Sequence, residues 1–164
     1  MPGVGQQRPR AAISRKERVG LLIHRGLDQW LSPLGVWVMH RSKGAIANRF
    51  KVDALVLTTV GRRSGRTRSV VLQFFRDGES IIVAAANDGG ATHPAWYLNL
   101  TSTPEAQVEV TGRRLEVRAE ELPPDEATEW WTRIVARSPD YERYARATAR
   151  TIPIMRLVPV SKPA

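Results

Sequence analysis

The stretch DALVLTTVGRRSGRTRSVVLQFFR, residues 53–76, decides the fold because it joins two apolar runs through a short basic turn. The runs at 53–60 and 68–76 are rich in β-branched residues, which favour strands. In the turn, Gly65 can adopt the positive φ that tight hairpins need. The stretch therefore predicts a β-hairpin whose tip, Gly61 to Arg68, holds four arginines in eight residues.

Further strands and helices follow from the pattern of the remaining sequence. A strand over 79–87 follows a turn at Asp77-Gly78, a hairpin is centred on Gly112, and a last strand covers 152–160. A short helix is predicted within 92–104, with Pro94 at its first position, and a longer helical region over 123–148 is broken at 138–140. Six strands with helices predict a mainly β, α+β fold, a small antiparallel barrel.

The length and composition of the chain limit the classes of protein to which it can belong. The 164 residues suit one globular domain, and 42% of them are hydrophobic. There is no cysteine, which excludes disulfides and thiolate chemistry, and no apolar run reaches the roughly 20 residues of a membrane span. The first residues lack the apolar core of a secretory signal. These features predict a soluble, cytoplasmic protein.

Positive charge is concentrated near the N-terminus. Residues 1–51 hold ten Lys and Arg against two acidic residues, whereas 52–164 hold fifteen against fourteen. We expect a disordered arm over 1–12, a basic amphipathic helical segment over 13–50, and a barrel domain over 51–164. The apolar stripe within 13–31 could lie on an anionic membrane surface, or it could pack on the barrel or on a partner subunit, and the pattern does not choose between these. The nearly neutral body disfavours a nucleic-acid partner.

The arginine-rich tip has two readings. It is either a solvated turn that protects a sheet edge, or a site where guanidinium groups bind phosphate or carboxylate and free backbone amides assist. No GK[ST] follows and no helix opens after the glycines, so neither a P-loop nor a dinucleotide-binding fingerprint is present.

Two other stretches are dense in polar and aromatic residues. NDGGATHPAWYLNL (87–100) combines a double glycine with Trp96 and Tyr97, which are either core residues or part of a site. His93 has no second histidine at ligand spacing, so we predict no metal site. Tyr141 and Tyr144 lie three apart on one helix face, either as surface packing or as the lining of a pocket for a flat ligand.

The ordered stretches ALVLTTVGRRSGRTRSV, ANDGGATHPAWYLNL and YERYARATARTIPIMRLVP together resemble the deazaflavin-dependent nitroreductases, which include actinobacterial F420H2-dependent quinone reductases. The resemblance runs from about Lys51 to Pro159. It implies a split β-barrel related to FMN-binding reductases. It also implies coenzyme F420 as cofactor, with FMN less expected, and an oxidoreductase that transfers a hydride from reduced F420 to a quinone, enone or nitroaromatic.

The resemblance also implies site residues. The turn would receive the phosphate and glutamate tail of F420, the following strand and the segment before the double glycine would approach the deazaflavin, and the helix after Pro94 would hold the cofactor. The cofactor-binding residues are then Arg62, Arg63, Ser64, Gly65, Arg68, Val70, Val71, Gln73, Ala85, Ala86, Asn87, Asp88, Ala95, Trp96 and Asn99. Tyr141, Tyr144 and Asn87 would serve substrate binding and proton delivery.

Two positions depart from the family pattern. Asp88 stands where many members carry Lys, and this reversal of charge either lowers the affinity for the tail or shifts tail binding towards the arginine turn. Gln73 stands where some members carry Tyr, which bears on substrate preference. The rival function is a non-catalytic protein that binds F420 or another polyanion through the arginines. We expect a small-molecule substrate as the main partner.

Overall fold

The structure, a computed structural model, describes residues 53–160. The predicted arm at 1–12 and helical segment at 13–50 lie outside these residues. So do both ends of the predicted 51–164 domain. The described part contains strands β1 (Ala54–Val60), β2 (Thr67–Gln73), β3 (Phe75–Asp77), β4 (Ser80–Ala84), β5 (Glu105–Val110), β6 (Arg113–Glu121) and β7 (Ile154–Pro159). Its helices are α1 (Ala95–Ser102), α2 (Pro124–Arg137) and α3 (Asp140–Ala147), with a 3₁₀ turn at Asn87–Gly89.

The strands form one antiparallel sheet in the order β2-β1-β5-β6-β7-β4-β3. Its two end strands, β2 and β3, are consecutive in the chain and separated by Phe74 alone. The sheet therefore curls until its ends meet through the backbone. This confirms the barrel, with seven strands instead of six because the strand predicted over 68–76 changes its partner from β1 to β4 at Phe74.

Two hydrophobic clusters lie on opposite faces of the sheet. Along β4, Ile81 and Val83 face the barrel interior, where Trp96 of α1 is also buried. The alternate residues Ile82 and Ala84 face outwards and pack with residues of α2 and α3. Because β4 is covered on both faces, it reads as a continuous apolar run and not as an alternating one.

The helices begin and end close to the predicted positions. Helix α1 begins at Ala95, one residue later than predicted, with Pro94 as its N-cap, and Ser138-Pro139 divides α2 from α3 as the sequence indicated. The strand predicted over 79–87 is shorter than expected, since β4 ends at Ala84 and the chain turns into the 3₁₀ segment. No helix in the part of the chain described here is long and apolar enough to cross a membrane.

Candidate active site

The turn between β1 and β2 is closed by its own hydrogen bonds. The Gly61 amide donates to Arg66 O (2.8 Å), the Gly65 amide donates to Gly61 O (2.7 Å), and the Arg66 amide donates to Ser64 Oγ (3.3 Å). A Cβ at Gly61 would lie 2.9 Å from Ser64 Oγ, and Gly65 has φ +66°, so both positions require glycine.

The backbone of this turn therefore contributes less to anion binding than the sequence suggested. Within 61–66, the amides of Gly61, Arg62, Ser64, Gly65 and Arg66 all donate to groups of the protein. In the described structure only the Arg63 amide of this turn has no acceptor. The expected set of free amides at the tip was wrong, and the binding capacity lies in the side chains.

Those side chains are four exposed guanidinium groups. None of them forms an ion pair with a carboxylate of residues 53–160, although eight other arginine–carboxylate pairings in that range do exist at Arg114, Arg118, Arg137, Arg143, Arg146 and Arg156. Uncompensated like charges repel one another and favour binding of a polyanion. The arginines of the tip are Arg62, Arg63, Arg66 and Arg68.

Asn99 of α1 holds the turn in place. Its side chain is buried at 4% exposure, and its Oδ1 accepts from the Arg62 amide at 3.1 Å. Its Nδ2 donates to Thr59 Oγ1, also at 3.1 Å. The predicted cofactor residue Asn99 thus connects the turn to α1, and both ends of its amide are occupied by protein groups.

Strand β2 runs from the arginine turn towards α2 and α3. Its seven residues span roughly 20 Å at the usual rise of a strand. Val70 packs against the interior cluster, whereas Val71 and Gln73 share the other face. The side chains of these three predicted residues therefore do not line one surface. At the end of β2, Gln73 Nε2 donates to Ser138 Oγ at 2.7 Å, in the turn between α2 and α3.

The loop after β4 has an unusual backbone. Asn87, Asp88 and Gly89 have φ of 49°, 49° and 76°. A Cβ at Gly89 would lie 2.7 Å from Ala147 Cβ and 2.8 Å from Tyr144 O, so the loop touches α3 where no side chain fits. Asn87 Nδ2 donates to Thr92 O at 3.0 Å. Ala85 and Ala86 are buried, so their side chains offer no surface to a ligand.

Tyr141 and Tyr144 lie in an aromatic cluster beside this loop. Their ring centroids are 5.6 Å apart, and Tyr141 also contacts Phe75 and Trp131 edge-on. Burial raises the pKa of Tyr141, and the neighbouring Tyr144 and Asp88 raise it further. Burial and the Asp88 carboxylate likewise raise the pKa of Tyr144. Both hydroxyls are therefore protonated at neutral pH and can donate hydrogen bonds.

The first turn of α1 separates its residues into core and surface. Trp96 is 7% exposed and belongs to the interior cluster, as the core reading of this aromatic residue indicated, while Ala95 is exposed. Tyr97 Oη donates to Glu121 Oε2 at 2.9 Å, and burial together with this carboxylate raises the pKa of Tyr97 to about 12. The His93 ring stacks on Tyr97 with centroids 4.9 Å apart.

Arg150 is a site residue that the sequence analysis missed. Its guanidinium donates to the carbonyl oxygens of Ala85 (3.0 Å), Ala86 (2.7 Å) and Gly90 (3.0 Å), and so fixes the loop after β4 to the segment before β7. In the sequence nothing distinguishes it from Arg143 and Arg146, which form exposed ion pairs on α3.

The predicted site residues thus fall into three groups that direct contacts connect. The arginine turn is bonded to α1 through Asn99, the loop after β4 is joined to α3 at Gly89, and the tyrosines lie on α3 beside that loop. Strand β2 links the turn to the aromatic cluster, since Phe75 just beyond it lies 6.1 Å from Tyr141 between ring centroids.

Comparison with known proteins identifies the family. The model of the F420H(2)-dependent quinone reductase family matches residues 32–159. The chain belongs to this family. A protein of Mycobacterium tuberculosis strain H37Rv named F420H(2)-dependent quinone reductase is 30% identical over 119 residues, which are 71% of this chain and 76% of the relative.

Solved structures agree with the family and the fold. One described as an F420-H2 dependent reductase, FDR-A, is 30% identical with a TM-score of 0.59, and the match covers 64% of this chain and 93% of that one. Another, described as a domain-swapped dimer, is 28% identical with a TM-score of 0.60 and coverage of 88% and 99%. The family resemblance, the split-barrel fold and reduced F420 as the cofactor of the family are confirmed.

Proposed function

We propose that this member of the F420H2-dependent quinone reductase family transfers a hydride from reduced F420 to a flat, uncharged electrophile such as a quinone, an enone or a nitroaromatic. The observation that carries the proposal is the presence of two different features at the two ends of β2. Four arginines that pair with no carboxylate of residues 53–160 lie at one end of the strand, and protonated tyrosines lie near the other.

The residues present fit a long cofactor that is anionic at one end. Arg62, Arg63 and Arg68 suit the phosphodiester and glutamate tail, because guanidinium groups bind both phosphate and carboxylate through paired hydrogen bonds. Ser64 and Gly65 shape the turn that displays them. When bound, reduced F420 supplies a hydride from C5 of its deazaflavin ring, and the acceptor takes a further proton from the site or from water.

The chain itself contributes orientation and a polar environment. Val71, Gln73 and the backbone of 85–88 would border the ring, with Ala95, Trp96 and Asn99 supporting the opposite wall of the site. Tyr141 or Tyr144 would donate a hydrogen bond to the acceptor oxygen, since the raised pKa values keep both hydroxyls protonated. Asn87, which is exposed beside them, offers a further polar group.

Asp88 supports an uncharged acceptor. Its carboxylate acts on both tyrosines and raises the pKa of each. A negative charge beside the aromatic cluster repels an anionic substrate, whereas a neutral quinone or nitroaromatic is not affected in this way. We therefore expect carboxylated or sulfonated acceptors to be poor substrates, and we expect Asp88→Asn to improve their kcat/KM relative to menadione.

The first test is a fluorescence titration of the protein with F420 and with FMN, followed by an assay of reduced F420 oxidation with menadione and a nitroaromatic. The proposal predicts preferential binding of F420 and turnover with at least one acceptor. Binding of neither flavin would contradict it. Tight F420 binding without turnover on a panel of quinones, enones and nitroaromatics would favour the non-catalytic binder.

The second test places the binding at the arginine turn. Arg63→Glu combined with Arg68→Glu removes two charge-assisted contacts, each worth about 1.5–3 kcal/mol, so F420 affinity should fall more than about 100-fold. The matched control, Arg113→Glu with Arg114→Glu, makes the same charge change in the β5–β6 hairpin at the opposite end of the sheet. Equal loss of affinity in both variants would show a non-specific charge effect.

A further inference from the structure

The guanidinium of Arg150 is saturated by acceptors that carry no net charge. Nε donates to Gly90 O at 3.0 Å, and Nη2 donates to Ala85 O at 3.0 Å and Ala86 O at 2.7 Å. Nη1 donates to His93 Nδ1 at 3.2 Å and Thr151 O at 3.3 Å. These five contacts use all five N–H groups of an arginine. Desolvation lowers the pKa of Arg150, and no carboxylate of residues 53–160 forms an ion pair with it.

Arg156 provides the contrast. It is a partly buried arginine whose guanidinium bonds three carboxylates, those of Asp77, Glu120 and Glu126. Such an arrangement joins elements of the fold through ion pairs. Arg150 instead donates to the carbonyl oxygens of Ala85, Ala86, Gly90 and Thr151 and to the His93 ring, so within residues 53–160 its charge is balanced by neutral dipoles and not by carboxylates.

Because Arg150 binds two successive carbonyl oxygens, it fixes the direction of the two N–H groups in the same peptide units. In a trans peptide the C=O and the following N–H point in opposite directions, and the described chain has no cis peptide bond. Since Ala85 O and Ala86 O both face Arg150, the N–H groups of Ala86 and Asn87 point away from it. Neither amide donates a backbone hydrogen bond within residues 53–160.

The local dihedral angles bring these donors together. Ala86 is in the right-handed helical region, with φ −70° and ψ −37°, and Asn87 follows with φ 49°. A right-handed residue followed by a positive-φ residue makes successive N–H groups converge into a concavity that binds anionic or carbonyl oxygen. The cation behind the two peptide units polarises both of them and strengthens their N–H groups as donors.

We propose that Arg150 is a positioning residue for the cofactor: it aligns the peptide units of Ala85–Ala86 and Ala86–Asn87 so that their N–H groups receive an oxygen of the deazaflavin cofactor. The inference rests on the proposed binding of F420. It predicts that loss of the Arg150 guanidinium, with its five N–H donors, weakens F420 binding even when the barrel stays folded.

The test compares Arg150→Lys with Arg156→Lys. Lysine keeps the charge but has three donors for five acceptors, so the loop amides lose their fixed direction. F420 dissociation constants are measured by fluorescence titration below the melting temperature of every protein. We expect Arg150→Lys to weaken F420 binding by about 10-fold or more, and Arg156→Lys to lower the melting temperature with affinity within about twofold.

Two further measurements, steady-state kinetics and chemical rescue by guanidinium ion, distinguish a positioning role of Arg150 from a purely structural one. In Arg150→Lys the KM for reduced F420 should rise with the affinity loss, while kcat at saturating cofactor changes less than about threefold. In Arg150→Ala, added guanidinium ion should recover part of the F420 affinity, and it should recover none in Arg156→Ala.

The outcomes are distinct. Failure of the wild-type protein to bind F420 would overturn the proposed function and this inference with it. Wild-type binding with unchanged affinity in Arg150→Lys would overturn this inference alone. If neither Arg150 variant folds, Arg150 is a purely structural contact and the positioning role is refuted.

Discussion

At the scale of single residues, backbone conformation determines which positions of the site tolerate a side chain. Gly65 and Gly89 both have positive φ, but a Cβ at Gly65 would meet nothing within 4 Å, whereas one at Gly89 would meet Ala147 and Tyr144 below 3.0 Å. The two glycines therefore differ in steric contact and share the same backbone strain.

This difference gives a matched pair of substitutions. Gly65→Ala should cost about 1–2 kcal/mol of unfolding free energy, which is the cost of the left-handed conformation alone. Gly89→Ala adds overpacking against α3, and the total should reach about 2–5 kcal/mol. Urea denaturation measures both. Equal losses would show that the contact between the loop and α3 relaxes without cost.

Tyrosine ionisation should be displaced to high pH in the folded protein. The pKa of Tyr97 is raised to about 12, and those of Tyr141 and Tyr144 are raised as well. The stability linked to these groups is therefore complete below the unfolded value near 10 and is lost as pH rises through the folded values.

Absorbance at the tyrosinate band measures this displacement. All three tyrosines of the chain should titrate above about pH 10 when folded and near 10 in urea. A native titration near 10 for all three would contradict the burial described for the aromatic cluster.

At the scale of elements, α1 positions the β1–β2 turn through one side-chain amide, that of Asn99. Asn99→Ala would leave the Arg62 amide and Thr59 Oγ1 without their partner at a site that is 4% exposed. We expect a loss of about 2–4 kcal/mol in unfolding free energy and weaker F420 binding, because the arginines lose their fixed presentation.

The control for Asn99→Ala is Thr59→Val, which removes one of the two bonds and keeps the Arg62 contact. It should destabilise the protein by about 1–2 kcal/mol and leave F420 affinity within about twofold. An equal effect of both variants on affinity would show that Asn99 does not act through the turn.

Sequence patterns predicted the elements whose signals are local. The hairpins at Gly65, Gly78 and Gly112 follow from glycines that indeed have positive φ, and the helix break at 138–140 follows from Ser138-Pro139. The break at Phe74 was missed because Phe74 and Phe75 are both apolar and buried, and the change of partner there depends on strands distant in sequence.

The same distinction applies to the site. The arginine turn and the two tyrosines could be predicted because each motif is contiguous, although the assigned roles of these residues stay predictions. Arg150 could not be predicted, since the acceptors it bonds across the fold lie 57 to 65 residues earlier in the chain. The bond that occupies the Arg62 amide could not be predicted because its acceptor, Asn99, lies 37 residues later in the chain, whereas the other four amides are occupied by local contacts within 61–66.

At the scale of the whole molecule, Arg156 connects three elements. Its guanidinium bonds Asp77 of β3, Glu120 of β6 and Glu126 of α2, and its side chain is 19% exposed. Arg156→Met would leave three carboxylates without their cation, but these are 32% to 56% exposed, so we expect a loss of about 1–3 kcal/mol in unfolding free energy. Arg118→Met, which breaks the exposed pair with Glu105, should cost less than about 1 kcal/mol. Thermal melts of both variants test this contrast.

The sheet order also has a consequence for synthesis of the protein. Strand β7 lies between β6 and β4, and without it the sheet divides into the four strands β2-β1-β5-β6 and the hairpin β4-β3, which the chain joins through Phe74 and through residues 85–104. A chain that emerges from the ribosome in sequence order makes both pieces long before residues 154–159 are available. The nascent protein therefore exposes the unpaired edges of β6 and β4 until β7 is available, and exposed strand edges of this kind favour aggregation.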